Sequence, residues 1–116
     1  MTPDVNSRAL AILETFAASD ADIASLLCDQ HPAERLALTV VAPDRSRRTY
    51  TYADLARSSA QLAGYLRERG VKRGDRVATV MGKSADLVSV ILGIWRVGAV
   101  YVPLFTATSW WPPTPH

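Results

Sequence analysis

The stretch that most restricts the fold of this chain is "SADLVSVILGIWRVGAVYVPL", residues 84 to 104. Ser84 can cap a helix, Asp86 suits the positive N-terminal end of that helix, and Arg96 suits its negative C-terminal end. Between them Leu87, Val88, Val90, Ile91, Leu92, Ile94 and Trp95 leave little polar face, so the helix must be covered on most sides. Gly98 ends it, and "AVYV" at 99 to 102 reads as a strand. An apolar helix running straight into an apolar strand is stable only inside packed layers of helix and sheet.

The preceding segments repeat this alternation. "RVATVM", 76 to 81, is a β-branched run of strand length that follows the turn "KRGD" at 72 to 75. Upstream, "TYAD" opens a helix at Thr51 with a capping box, in which the Thr51 side chain and the Asp54 carboxylate meet unpaired backbone N–H groups. Leu55, Leu62, Ala63 and Leu66 recur at helical spacing, and Gly70 can supply the left-handed stop. "LALTVV" at 36 to 41 and "RTYTY" at 48 to 52 flank the turn signal "APDRSR" and predict a β-hairpin.

Residues 7 to 28 predict two short helices, one carrying Leu10, Leu13 and Phe16, the other Ile23, Leu26 and Leu27. "HP" at 31 and 32 stops them, because proline pushes the residue before it out of the helical region. The expected fold class is therefore α/β: N-terminal helices and a β-hairpin, then a βαβαβ unit with parallel strands and right-handed crossovers. Such a sheet needs cover on both faces.

At 116 residues the chain can hold one small domain or part of a larger one. Its 13 basic and 11 acidic residues give a net charge of +2, and the arginines gather in "RSRR" at 45 to 48 and "RERGVKRGDR" at 67 to 76. Both clusters lie between periodic segments and neither interleaves aromatics, so they read as solvated loops, and no nucleic-acid partner is expected. The single cysteine, Cys28, excludes an intramolecular disulfide and sits beside Leu26 and Leu27 as a small buried hydrophobe. The N-terminus lacks signal-peptide character, and no uncharged apolar run approaches the ~18 residues of a membrane span, so a cytoplasmic location is expected.

The chemical motifs are sparse. "GKS" at 82 to 84 ends like a phosphate-binding loop, but the position where that loop needs its first glycine is Val77. Gly82 and Ser84 are better read as a turn and a helix cap, with Lys83 facing solvent. His31 precedes a proline and His116 is the last residue, so neither has the setting of a base or a ligand. Asp29, Glu34, Asp44, Asp54, Glu68, Asp75 and Asp86 are accounted for by caps, turns and solvated faces. No catalytic, cofactor-binding or metal-ligating residue is assigned.

The order of segments is more specific. "TYTYADLARSSAQLAGYLRERGVKRGDRVATVMGKSADLVSVILGIWRVGAVYVPLF", from residue 49 to 105, resembles the N-terminal region of the adenylate-forming superfamily of AMP-dependent synthetases and ligases. "VPLFTA" is more similar to the acyl-CoA synthetase branch than to the "VPLDP" of peptide-synthetase adenylation domains. The resemblance implies an activity in which a carboxylic acid and ATP give an acyl-adenylate and pyrophosphate, and CoA then displaces AMP. ATP, Mg²⁺ and CoA would serve the full-length family. The phosphate loop, nucleotide motifs, acidic metal contact and C-terminal lysine of the family all belong beyond the "YVPL" strand, so none is carried over to this sequence.

Residues 1 to 107 are accordingly expected to form a partial AMP-binding N-terminal domain. The stretch "TSWWPPTPH", 108 to 116, has no counterpart in the family and reads as an aberrant tail. The expected behaviour is that of an inactive N-terminal part, with apolar surface that favours self-association. Two rivals differ in class: a small standalone interaction protein, marked by one stoichiometric partner, and a nucleotide-binding domain using "GKS", marked by ATP affinity that depends on Lys83.

Overall fold

The computed structural model describes residues 4 to 106. Helix α1 (Val5–Phe16) is followed by a short π-helical turn (Ser25–Asp29), the strands β1 (Leu36–Val41) and β2 (Arg47–Thr51), helix α2 (Tyr52–Glu68), strand β3 (Arg76–Val80), helix α3 (Ala85–Arg96) and strand β4 (Val100–Leu104). The expected α/β class is present, with N-terminal helical segments, an antiparallel hairpin and a parallel strand pair.

Local signals act where the sequence puts them. The Thr51 hydroxyl accepts from the Asp54 N–H at 3.1 Å while the Asp54 carboxylate accepts from the Thr51 N–H at 2.9 Å, a complete capping box. Ser84 accepts from the Leu87 N–H at 3.2 Å and starts α3. Gly70, at φ 87°, closes the end of α2 in the left-handed region that glycine tolerates best.

The sheet is narrower than a βαβαβ unit. β2 pairs antiparallel with β1, in register Leu38 to Tyr50 and Val40 to Arg48, and β3 pairs parallel with β4, in register Val77 to Tyr101 and Thr79 to Pro103. The two pairs form separate sheets, so among the described residues only β3–α3–β4 is a parallel crossover. The hairpin holds β2 in place: Asp44 accepts from the Ser46 N–H at 2.9 Å in the turn, and the N–H groups of Tyr52 and Ala53 go back to the carbonyls of Arg35 and Ala33. Those bonds use the backbone at the end of β2 on the hairpin side.

Helix α3 occupies the centre, and Asp86 is its one exposed residue. On one side Ala63, Leu66, Ile94, Val97 and Ala99 form a buried cluster with Val77 of β3 and Tyr101 of β4 against it. On the other, Cys28, Leu55 and Leu92 are buried beneath Leu38, Tyr52 and Trp95. α2 and α3 pack tightly at Gly93, where an added Cβ would lie 2.9 Å from Leu62 Cδ2 and 3.0 Å from the Ser59 carbonyl.

Helix α1 stands apart from this core. The stripe of Leu10, Leu13 and Phe16 forms as the periodicity predicts, but these side chains are 51 to 61% exposed and the helix buries none of its residues.

Candidate functional site

Among the concavities of the described residues, three differ in the chemistry of their linings. The first, about 510 Å³, lies between residues 19 to 23 and the end of α3, with Asp20, Asp22, Arg73 and Arg96 around it. A second, about 570 Å³, separates the hairpin from the start of α3 and brings Arg47, Arg48 and Tyr50 near Ser84 and Asp86. The third, about 320 Å³, is apolar and runs between β1, α2 and α3, lined by Leu38, Tyr52, Leu55, Val88, Leu92 and Trp95 among others.

Among the described residues, Arg96 makes the most side-chain hydrogen bonds to other side chains. Its guanidinium donates two N–H bonds to the two Asp29 carboxylate oxygens, both at 2.7 Å, and Nε–H donates to the Ser59 hydroxyl at 2.8 Å. Ser59 is fully buried, and its own hydroxyl donates to the Ala56 carbonyl at 3.2 Å. The arginine side chain is 15% exposed and the aspartate 38%. These hydrogen bonds from Arg96 hold the Asp29 carboxyl below the usual carboxylate range, against the opposing effect of desolvation.

Cys28 lies beside this network, buried as its apolar neighbours predict, with its thiol donating to the Tyr52 carbonyl at 3.5 Å. Desolvation, followed by the nearby Asp29 charge, pushes its pKa up. A thiol of that kind is a poor nucleophile at neutral pH. His31 stacks on the Tyr52 ring, with centroids 4.5 Å apart.

The remaining candidates take structural roles. Asp54 belongs to the capping box, Asp44 to the hairpin turn, and Asp75 accepts from the Lys72 N–H at 2.7 Å in the "KRGD" turn. Lys83 is exposed in the bend before α3, and Val77 lies inside β3 with its side chain against the core. A strand residue packed in this way cannot serve as the flexible start of a phosphate loop. Among the described residues, no three His, Cys, Asp or Glu side chains gather as a metal-ligand set.

Arg96 and Ser59 are what the sequence reading missed. Arg96 was accounted for by the helix dipole alone and Asp29 by a solvated surface. A lone cation in the last turn of an almost wholly apolar helix was the available signal, since a charge held there needs a partner. Nothing local pointed to that partner, 67 positions away.

Comparison with known proteins places this scaffold. The family model described as "AMP-binding enzyme" matches residues 27 to 110. Nonribosomal peptide synthetase sidC of Arthroderma benhamiae is 43% identical over 65 residues, which is 56% of this chain and 1% of that protein. An acyl-CoA synthetase of Brucella canis superposes with a TM-score of 0.78 at 33% identity, covering 90% of this chain and 20% of its own. ATP-bound MatB of Rhodopseudomonas palustris superposes with a TM-score of 0.61 at 29% identity, covering 76% of this chain and 17% of its own. The chain thus spans about a fifth of those two solved enzymes, and between 1 and 9% of the curated relatives that it matches. A match over most of its residues, on a scaffold that superposes in the same order, makes this chain a member of the AMP-binding, adenylate-forming enzyme family.

Proposed function

We propose that this chain is the N-terminal structural part of an AMP-forming carboxylate-activating enzyme, with residues 1 to 107 as a partial domain; the stretch 108 to 116, expected from the sequence to be an aberrant tail, lies outside the described residues. The observation that carries this reading is the superposition of nine-tenths of the chain on one fifth of an acyl-CoA synthetase. In the reaction of such an enzyme a carboxylate oxygen attacks the α-phosphorus of ATP, the bond to the pyrophosphate leaving group breaks, and an acyl-adenylate forms. A thiol then attacks the acyl carbon of this mixed anhydride, the bond to the phosphate oxygen breaks, and AMP leaves as the thioester forms.

The described residues do not fit ATP or Mg²⁺. The "GKS" turn lacks a phosphate loop's first glycine, and the acidic side chains around it are dispersed rather than paired. No catalytic step is therefore routed through them. Their role is architectural: α3 and the β3–β4 pair form a rigid base, and the ATP, acid and thiol sites belong to other segments of the enzyme.

For the thiol we propose CoA. "VPLFTA" is similar to the acyl-CoA synthetase branch, and the likeness to the Brucella canis enzyme supports that branch. The similarity to a peptide synthetase supports only the shared adenylation step. A cytoplasmic location goes with this reading; among the described residues no helix is long and apolar enough to cross a membrane.

The test is exchange of labelled pyrophosphate into ATP by the purified chain across a panel of carboxylic acids. No acid-dependent exchange is expected, and robust exchange would overturn the reading.

A further inference from the structure

Helix α1 and the apolar concavity between β1, α2 and α3 are each left uncovered, and their side chains repeat at the same pitch. On α1, Ala9, Leu13 and Phe16 stand at i, i+4 and i+7, with Leu10 and Ile12 on either side of that row and Ser7, Ala11 and Thr15 opposite it. Leu10, Ile12, Leu13 and Phe16 are 51 to 61% exposed, and no residue of the helix is buried. In the concavity, about 320 Å³, Val88, Ile91 and Trp95 of α3 stand half-buried at i, i+3 and i+7 and share the lining with Leu38 and Tyr52. A row of side chains on one helix packs beside a row on another when their spacings agree.

We propose that α1 of one copy of this chain lies in the apolar concavity of a second copy, whose own α1 lies in the concavity of the first. The contact is a two-fold exchange of helices, independent of the carboxylate-activating reading.

The connection after α1 decides between a second copy and the chain's own concavity. Residues 17 to 22 are short and already shaped: the Ala21 N–H donates to the Ala18 carbonyl at 3.0 Å, and the Asp22 carboxylate accepts from the Ala24 N–H at 3.1 Å. With that turn intact α1 is held off its own core. Docking in its own concavity requires the turn to open, whereas exchange leaves it as it is, and short hinges favour exchange for this reason.

Area decides whether the exchange can hold. The exposed parts of the four large apolar side chains offer ~400 Å² on α1, and the concavity as much again, so two reciprocal contacts bury ~1,600 Å², the size of a standard stable interface. One contact alone would bury about half of that, which is the range of non-specific packing.

The test uses the full chain, followed by sedimentation velocity across a dilution series in the micromolar range. A monomer–dimer equilibrium is expected. Leu13→Asp, which buries an unpaired carboxylate, should weaken it by at least ~10-fold, and Ser7→Asp, with the same charge on the opposite side of α1, should leave it unchanged. Neither variant threatens the core, to which α1 contributes no buried residue. A monomer throughout, equal dissociation constants for the two variants, or aggregates that ignore Leu13→Asp each overturn the proposal.

A second measurement locates α1. Copies carrying Leu13→Cys are mixed with copies carrying Val88→Cys, both with Cys28→Ala, and treated with a short bismaleimide. Cross-links between the two kinds of copy are expected, and Ser7→Cys should not replace Leu13→Cys in forming them. Should Cys28→Ala fail to fold, Cys28 is kept, since it is 1% exposed. Preferential linking of Leu13→Cys copies to one another means that α1 packs on α1 and overturns the proposal. So does linking within one chain that carries both new cysteines, at a dilution where no dimer is present.

Discussion

Arg96 holds Asp29 through two parallel hydrogen bonds of 2.7 Å, joining the last turn of α3 to the π-helical turn 67 positions earlier in the chain. The same guanidinium reaches the fully buried Ser59 of α2, so one side chain fastens three helical segments. A planar fork with several donors can do this and an ammonium cannot.

Arg96→Ala removes all three bonds and leaves the Ser59 hydroxyl short of a partner. The expected loss is about 2 kcal/mol of unfolding free energy, read from urea titrations. Asp29→Asn should cost about 1 kcal/mol, reduced by the exposure of the carboxylate. The folded-state pKa of Asp29 lies below its ordinary value, so the contribution is complete above the unfolded aspartate pKa and is lost as pH falls through the folded one. Between neutral pH and about pH 3 the parent should therefore lose more stability than the Asn variant. Parallel pH curves for the two proteins would remove Asp29 from this role.

Two helix glycines should respond with opposite signs. Gly93→Ala places a methyl group 2.9 Å from Leu62 Cδ2 and 3.0 Å from the Ser59 carbonyl, and this overpacking of α3 on α2 should destabilise by about 1–3 kcal/mol. At Gly64, also within a helix, nothing lies within 4 Å of the added carbon. Gly64→Ala should stabilise by about 0.5–1 kcal/mol through backbone entropy and helix propensity. Equal shifts in thermal unfolding for the two variants would contradict the close helix approach.

Cys28 is 1% exposed and its thiol pKa is raised, so the native chain should resist alkylation by iodoacetamide at pH 8. A slowing on the order of 100-fold relative to the urea-unfolded chain is expected, because reaction must wait for local opening. Fast native labelling, followed by mass spectrometry, would show that the π-helical turn is not held against α2.

Lys83→Ala should be silent. The side chain is exposed in a bend with a strand residue where a phosphate loop would begin, so unfolding free energy should change by less than about 0.5 kcal/mol. Any ATP retained by the chain, measured by equilibrium dialysis, should be retained equally by the variant. A loss of nucleotide affinity in the alanine variant would revive the phosphate-loop reading of "GKS".

The sequence by itself determined most of the elements and the family resemblance, while strand ends shifted by a residue or two and the second N-terminal helix formed as the short π-helical turn Ser25–Asp29. Caps are local chemistry: Thr51 with Asp54, and Ser84 with Leu87, need only three residues of separation to act. The apolar run from Leu87 to Trp95 likewise required a covered helix wherever it was placed, and the order of segments from 49 to 105 carried the family resemblance. Pairing was a matter for the tertiary structure. Whether β2 joins β1 or β3 depends on competition between backbone partners, and the hairpin closes over a shorter loop than a crossover does. The partnership of Arg96 with Asp29 and Ser59 was decided there too, because three segments distant in sequence meet only once the helices have packed. The need of β3 and β4 for cover on both faces was legible in their apolar runs, but that α2 and α3 cover one side and leave Val80, Val100 and Leu104 exposed on the other follows from where the helices lie.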